Sequence, residues 1–312
     1  MTHLKYEGYY EVKLTKLVRE KFGDTNVYGQ TAKSLLTKAT GFIGDYDFTL
    51  NPYRGCQYGC SYCYAAAFSP NSKMRDDWGK WVIFKENSAQ VLTKELQKWY
   101  KQHPQTPPRI YMSSVTDPYQ PLESRHQLTR RLLEVMLDVR NDGYATPTLV
   151  IQTRSPIITR DIDYLQRFKR LRINMSIPTG SESVRKDFES RSPSIKARLN
   201  AIIKLKQSID SFKGFVPKIS ITITPLLPTL PSDEGAFISK LAVADRVVIQ
   251  DFHLNHNRSL IASTRQEARE IKQKYDWWYN AENFSYVKFK EKLFNQLPGV
   301  EIKEGKEGFG YE

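Results

Sequence analysis

The chain has 312 residues, 40% of them hydrophobic and 12% aromatic, with a formal net charge of +13. That composition supports a full core and excludes a disordered or low-complexity protein, and the length fits either two ordinary domains or one large α/β barrel. No long apolar run occurs and the opening MTHLKYEGYYEVKLTKL has no apolar signal core, so the expectation is a soluble, cytoplasmic protein with no membrane segment.

The first 46 residues show no repeating pattern and are expected to form an N-terminal extension. From residue 47 to 260, short β-branched runs alternate with amphipathic patterns. The first expected strand is Asp47–Leu50, followed at once by NPYRGCQYGCSYCYAAAF, Asn51–Phe68. A helix comes next over Ser88–Gln102, with Val91, Leu92, Leu96 and Trp99 on one face. The strand Arg109–Val115 leads to a helix over His126–Arg140, whose apolar face is Leu128, Leu132, Leu133 and Met136. Strands at Thr148–Thr153 and Arg172–Ile177 precede a helix over Pro193–Ile209 with Ile195, Leu199, Ile202 and Ile203. The strand Lys218–Thr224 is followed by a helix that Ser232 is expected to cap, and Asp245–Phe252 is the sixth strand.

Six strand–helix alternations imply parallel strands joined by right-handed crossovers. Six units are too few for a closed eight-stranded barrel. The expected fold is therefore α/β, an open partial (β/α)6 TIM-like barrel, with its chemistry at the C-terminal ends of the strands. Residues 261–312 read as a helical tail packing on that barrel, opened by a capping box at Thr264 and Glu267. The last residues, GKEGFGYE, are expected to fray.

Charge is unevenly placed. Between Arg154 and Lys218 there are 15 Lys/Arg against 6 Asp/Glu. Such a segment fits an anionic partner such as nucleic acid, or equally a solvated helix surface with a few site arginines.

All three cysteines fall in the loop after the first strand, as Cys56-x3-Cys60-x2-Cys63. Three thiols within eight residues make no disulfide framework and are expected to be reduced. Thiolates are the usual ligands of iron–sulfur clusters, and a four-iron cube normally takes four. Three from one loop leave one iron open, as a site for chemistry requires. Zinc with a histidine as fourth ligand is the alternative, but the spacing is poor for a zinc knuckle, and all five histidines are distant in sequence.

Cys-x3-Cys-x-aromatic-Cys, with Tyr62 as the aromatic, resembles the signature of the radical S-adenosylmethionine superfamily. Together with SSVTDPYQPLE, TRSPIITRDIDYL and SIPTGSESVRKDFESRSPSIKARLNAI after the next three strands, it resembles the branch related to spore photoproduct lyase. The resemblance implies a [4Fe–4S] cluster on Cys56, Cys60 and Cys63, with S-adenosylmethionine on the open iron. It also implies an external one-electron donor of flavodoxin or ferredoxin type.

By the same resemblance Tyr62 lies along the adenine, Ser114, Thr116 and Asp117 take the cofactor's ammonium group, Arg154 and Arg198 take its carboxylate, and Ser176 meets the ribose. Tyr119, Gln120 and Glu123, with Asp251 and His253 after the sixth strand, are expected to line the mouth on the substrate side. One departure stands out. The named relative uses a further cysteine after its second strand to return a hydrogen atom, and here Ser114 or Val115 stands there. Nucleic acid, a peptide and a small metabolite all remain open as substrates, and a binding protein with a structural or redox-sensing cluster is the reading from another class.

Overall fold

β-branched and long apolar residues fill a sheet that is buried on both faces along most of its length, as parallel strands covered by helices must be. The structure is a computed structural model and describes residues 20–210, 217–252 and 265–312. In chain order the strands are β1 (Glu20–Phe22), β2 (Thr25–Gln30), β3 (Leu36–Lys38), β4 (Phe48–Leu50), β5 (Tyr53–Arg54), β6 (Trp81–Lys85), β7 (Arg109–Met112), β8 (Thr148–Thr153), β9 (Leu171–Ser176), β10 (Lys218–Ile223), β11 (Arg246–Ile249) and β12 (Glu301–Glu304). The large sheet runs β12-β11-β10-β9-β8-β7-β4-β3. Every neighbour from β4 to β12 is parallel and only β3 is antiparallel.

This is the open partial barrel, its six expected strands being β4, β7, β8, β9, β10 and β11. Helices cover it as the periodicity requires. Leu92, Leu96 and Tyr100 of the helix Ser88–Gln102 are at most 1% exposed, one turn apart on a single face. A smaller sheet, β1-β2-β6-β5, stands beside the cysteine loop. Its strand β6, WVIFK, was not anticipated from the sequence.

The tail differs from expectation in two ways. After the helices Gln266–Lys274, Asp276–Tyr279 and Ser285–Gln296, β12 adds a further parallel strand to the large sheet. The final residues are also anchored rather than frayed. Tyr46 donates to the Phe309 carbonyl at 2.6 Å, Arg246 to Gly310 at 2.8 Å and Arg172 to Tyr311 at 2.8 Å. Two buried arginines on the strands thus find their acceptors in the tail's backbone, which is why that backbone is ordered. Smaller corrections concern helix ends: Pro231 is the first residue of its helix with Leu230 as cap, so Ser232 is already inside it. Ile203 is 41% exposed. The expected capping residue Thr264 lies outside the described residues.

Candidate active site

The cysteine loop leaves β4 at the C-terminal edge of the barrel and is fixed by backbone approaches that only glycine allows. Gly55 has φ +81°, and a Cβ there would lie 2.7 Å from the Trp81 carbonyl oxygen. Gly59, between the first two cysteines, has φ +57° and crosses Gly79 so closely that a Cβ would meet its Cα at 3.0 Å. Gly59→Ala should therefore cost about 1–3 kcal/mol from the left-handed backbone alone, read as a lowered urea midpoint of the anaerobic protein. A midpoint within error of wild type would contradict this crossing.

The segment after β7 clasps the same loop. Thr116 donates to the Gly55 carbonyl at 2.6 Å, the Gln57 amide donates to Gln120 Oε1 at 2.9 Å, and the Leu122 amide donates to Gln57 Oε1 at 2.6 Å. Tyr58 adds a bond to the Tyr119 carbonyl at 3.2 Å. Tyr119, Gln120 and Glu123 are fully buried. Glu123 accepts from Tyr53, from the Thr129 amide at 3.0 Å and from Arg160 at 2.8 Å. These three residues do not line the mouth. Their polar groups face the protein because the cysteine loop lies across them.

Cys56 and Cys60 are buried and Cys63 partly so. Burial pushes all three thiols up, Cys60 to about 12 despite the nearby Arg154 guanidinium, and neighbouring cysteines raise Cys56 and Cys60 further. As thiols they are protonated at neutral pH, and ligand binding has to displace the protons. Among the described residues no three His, Cys, Asp or Glu side chains already converge on one point as a metal cage.

Arg154 Nη1 donates to Cys60 Sγ at 2.9 Å and to the Tyr62 hydroxyl at 3.3 Å, and also pairs with Glu189. Glu189 is fully buried; its other oxygen accepts from Arg198 at 2.6 Å, and Tyr62 donates to it as well. Burial alone would raise the Glu189 carboxyl, yet the two guanidiniums hold it down at about 2. Arg198 is itself 0% exposed, and it donates to the Ser176 carbonyl at 2.9 Å and to Pro193 at 3.0 Å besides Glu189. With all its nitrogens engaged, Arg198 acts on the site through Glu189.

The remaining expected residues fall around this centre. Asp117 caps the ends of two strands, accepting from the Tyr119 amide at 2.9 Å, the Thr153 hydroxyl at 2.7 Å and the Arg154 amide at 2.9 Å. Burial still raises its carboxyl. Ser114 receives the Asn51 side-chain amide at 3.4 Å, and its carbonyl receives Tyr64. Asp251 is exposed past the end of β11, and His253 lies outside the described residues. Sequence reasoning missed Gln57, Glu189 and Arg265, whose guanidinium donates to the Cys60 carbonyl at 2.8 Å. The signal for Glu189 was present, as a lone acid between Phe188 and Arg191 in a segment otherwise counted as surplus positive charge.

That surplus is offset in part within the molecule. Among the described residues, eight of the basic residues in Arg154–Lys218 pair with carboxylates, four of which lie outside the segment: Asp24, Glu123, Asp245 and Glu312. Among the aromatics of the tail, Trp278 is buried against Phe289 and Trp277 is 42% exposed. No helix among the described residues is long and apolar enough to cross a membrane.

Known proteins are similar to this chain. An uncharacterized protein of Methanocaldococcus jannaschii is 32% identical over 183 residues, 59% of this chain and 61% of that protein. An uncharacterized protein of Mycobacterium tuberculosis is 26% identical over 248 residues, 75% of this chain and 66% of that protein. The chain thus spans less than two thirds of the length of either. Among solved structures, a variant of spore photoproduct lyase aligns with a TM-score of 0.58 at 14% identity, covering 88% of this chain and 81% of that one. A variant with bound AdoMet and dinucleoside spore photoproduct gives 0.57 at 15%, with the same coverage. These similarities concern the fold. The family model for the radical SAM superfamily matches residues 50–239, well over half of the chain and including the whole cysteine loop, and on that match the chain belongs to the radical SAM superfamily.

Proposed function

We propose that this chain is a radical S-adenosylmethionine enzyme, with a [4Fe–4S] cluster on Cys56, Cys60 and Cys63, that abstracts hydrogen from a substrate docking at the open end of the barrel. The observation that carries the reading is the loop itself: three neighbouring thiols, soft sulfur donors that suit iron, beside the Arg154 guanidinium. When bound, the cluster supplies the electron that splits S-adenosylmethionine into methionine and a 5′-deoxyadenosyl radical.

The chain's own part is to bind, orient and exclude water. Arg154 is suited to a cofactor carboxylate, since its charge is held at the loop by Glu189 and its planar fork pairs with carboxylates. Asp117 retains acceptor capacity for an ammonium group beyond its three protein donors, with Ser114 and Thr116 beside it. In this proposal Tyr62 lies along the adenine and Ser176 meets the ribose. Each cleavage consumes one electron that no group of the chain supplies, so an external one-electron donor is part of the proposal. The absence of a fourth cysteine also argues against thymine-dimer reversal by thiol return of hydrogen.

The test is anaerobic reconstitution with iron and sulfide, addition of dithionite and S-adenosylmethionine, and chromatography for 5′-deoxyadenosine. Product formation supports the reading. Stoichiometric zinc with no charge-transfer absorption, in protein prepared without oxygen, would overturn it. In the same protein Arg154→Ala should keep the cluster and weaken S-adenosylmethionine binding by ~30-fold, the loss of one charge-assisted contact worth about 2 kcal/mol. Unchanged affinity by equilibrium dialysis would place the carboxylate elsewhere.

A further inference from the structure

Lys272 lies outside the machinery described so far. Among the described residues it is the one buried lysine, 8% exposed. Its Nζ sits 4.8 Å from the centre of the Phe252 ring and 4.3 Å from that of Tyr279. No described residue gives it a hydrogen bond or a salt bridge. The Tyr279 hydroxyl is likewise buried without a partner among the described residues. Phe252 connects the pair to the cysteine loop, because its ring packs edge-on against Tyr62 at 6.5 Å between centroids.

Ring faces attract a cation but accept its N–H groups poorly. A buried ammonium and a buried phenol, both without acceptors, form an unfavourable arrangement in isolation. An oxygen anion placed between them would satisfy both, whereas a cationic group would be repelled by Lys272. Burial also holds the amine down to about 8, against the pull of the Asp251 carboxylate, the one acid acting on it.

We propose that Lys272 and Tyr279 form an oxyanion subsite at the mouth of the barrel, donating to a carboxylate or phosphate group of the substrate that rests against Phe252. The subsite stands on the two unpartnered donors; that its occupant belongs to the substrate rests on the function proposed above.

The experiment measures the amine directly. The reconstituted full chain, without S-adenosylmethionine or reductant, is labelled briefly with acetic anhydride and the modified peptides are mapped by mass spectrometry. Because Lys272 is only 8% exposed, its labelling is read against its own rate in the matched control salt and not against that of surface lysines. Labelling is repeated in inorganic phosphate, in acetate and in chloride at matched ionic strength. Phosphate or acetate should slow labelling of Lys272 by about 10-fold at ten times its dissociation constant, and chloride should not. Protection by one anion and not the other identifies the group. The protecting anion should also raise the unfolding temperature of wild type but not of Lys272→Met, and Tyr279→Phe should weaken the protection. Equal labelling in all three salts, with no anion-dependent shift in unfolding, would overturn the subsite. A chain that cleaved no S-adenosylmethionine would still answer this test, so the two proposals fail separately.

Discussion

Cys60→Ala should yield protein with no cluster absorption and no 5′-deoxyadenosine formation, while the apo chain folds as wild type does. The thiol sits at the centre of the loop and receives Arg154 at 2.9 Å. Its loss leaves two sulfur donors where the proposed cluster has three. Outer partners of metal ligands alone are worth about 10–100-fold in affinity, and removal of a ligand exceeds that. Cys56→Ala and Cys63→Ala should do the same. The measurements are iron and sulfide content with visible absorption after anaerobic reconstitution. Retention of a full complement of iron by any of the three variants would show that the ligands lie elsewhere.

Glu189→Ala should be among the most destabilising substitutions in the chain. It removes the counter-charge from Arg198 while both side chains are 0% exposed. An ion pair broken inside a protein costs about 3–5 kcal/mol, because the remaining charge is left without compensation. Glu189→Gln keeps oxygen and shape and should lose less, though its amide cannot balance two guanidiniums. Both variants should also loosen Arg154, so that affinity for S-adenosylmethionine falls along with the urea midpoint. A Glu189→Ala protein within 1 kcal/mol of wild type in anaerobic urea unfolding would mean that the buried Arg154–Glu189–Arg198 arrangement does not form.

The barrel was legible in the sequence because its strands are buried on both faces and read as short runs of β-branched and apolar residues, as in Thr148–Thr153. The cysteine loop was legible because its chemistry is local: three donors within eight residues need no tertiary information to be seen. The roles of Tyr119, Gln120 and Glu123 were not legible. A polar residue after a barrel strand can turn either to the mouth or to the neighbouring loop, and the bonds from the Gln57 amide to Gln120 and from the Leu122 amide to Gln57 decide for the loop. Glu189 was hidden for a related reason. Net charge along a segment counts an acid as a subtraction, whereas its position between Arg154 and Arg198 makes it the point on which both depend. β12 was missed because Glu301–Glu304 is short and charged, exposed in part, and lacks the pattern of a buried strand.

The late arrival of β12 has a consequence for biosynthesis. β11 is synthesised some fifty residues before β12, its partner on the outer side, and the helices Gln266–Lys274 and Ser285–Gln296 come between them. Until Glu301 is positioned beside Arg246, the outer edge of β11 presents unpaired backbone groups of an apolar strand, RVVI, to whatever else is nearby. Open edges of this kind recruit other chains. The nascent polypeptide is therefore open to self-association through this edge in the interval between the emergence of β11 and that of β12.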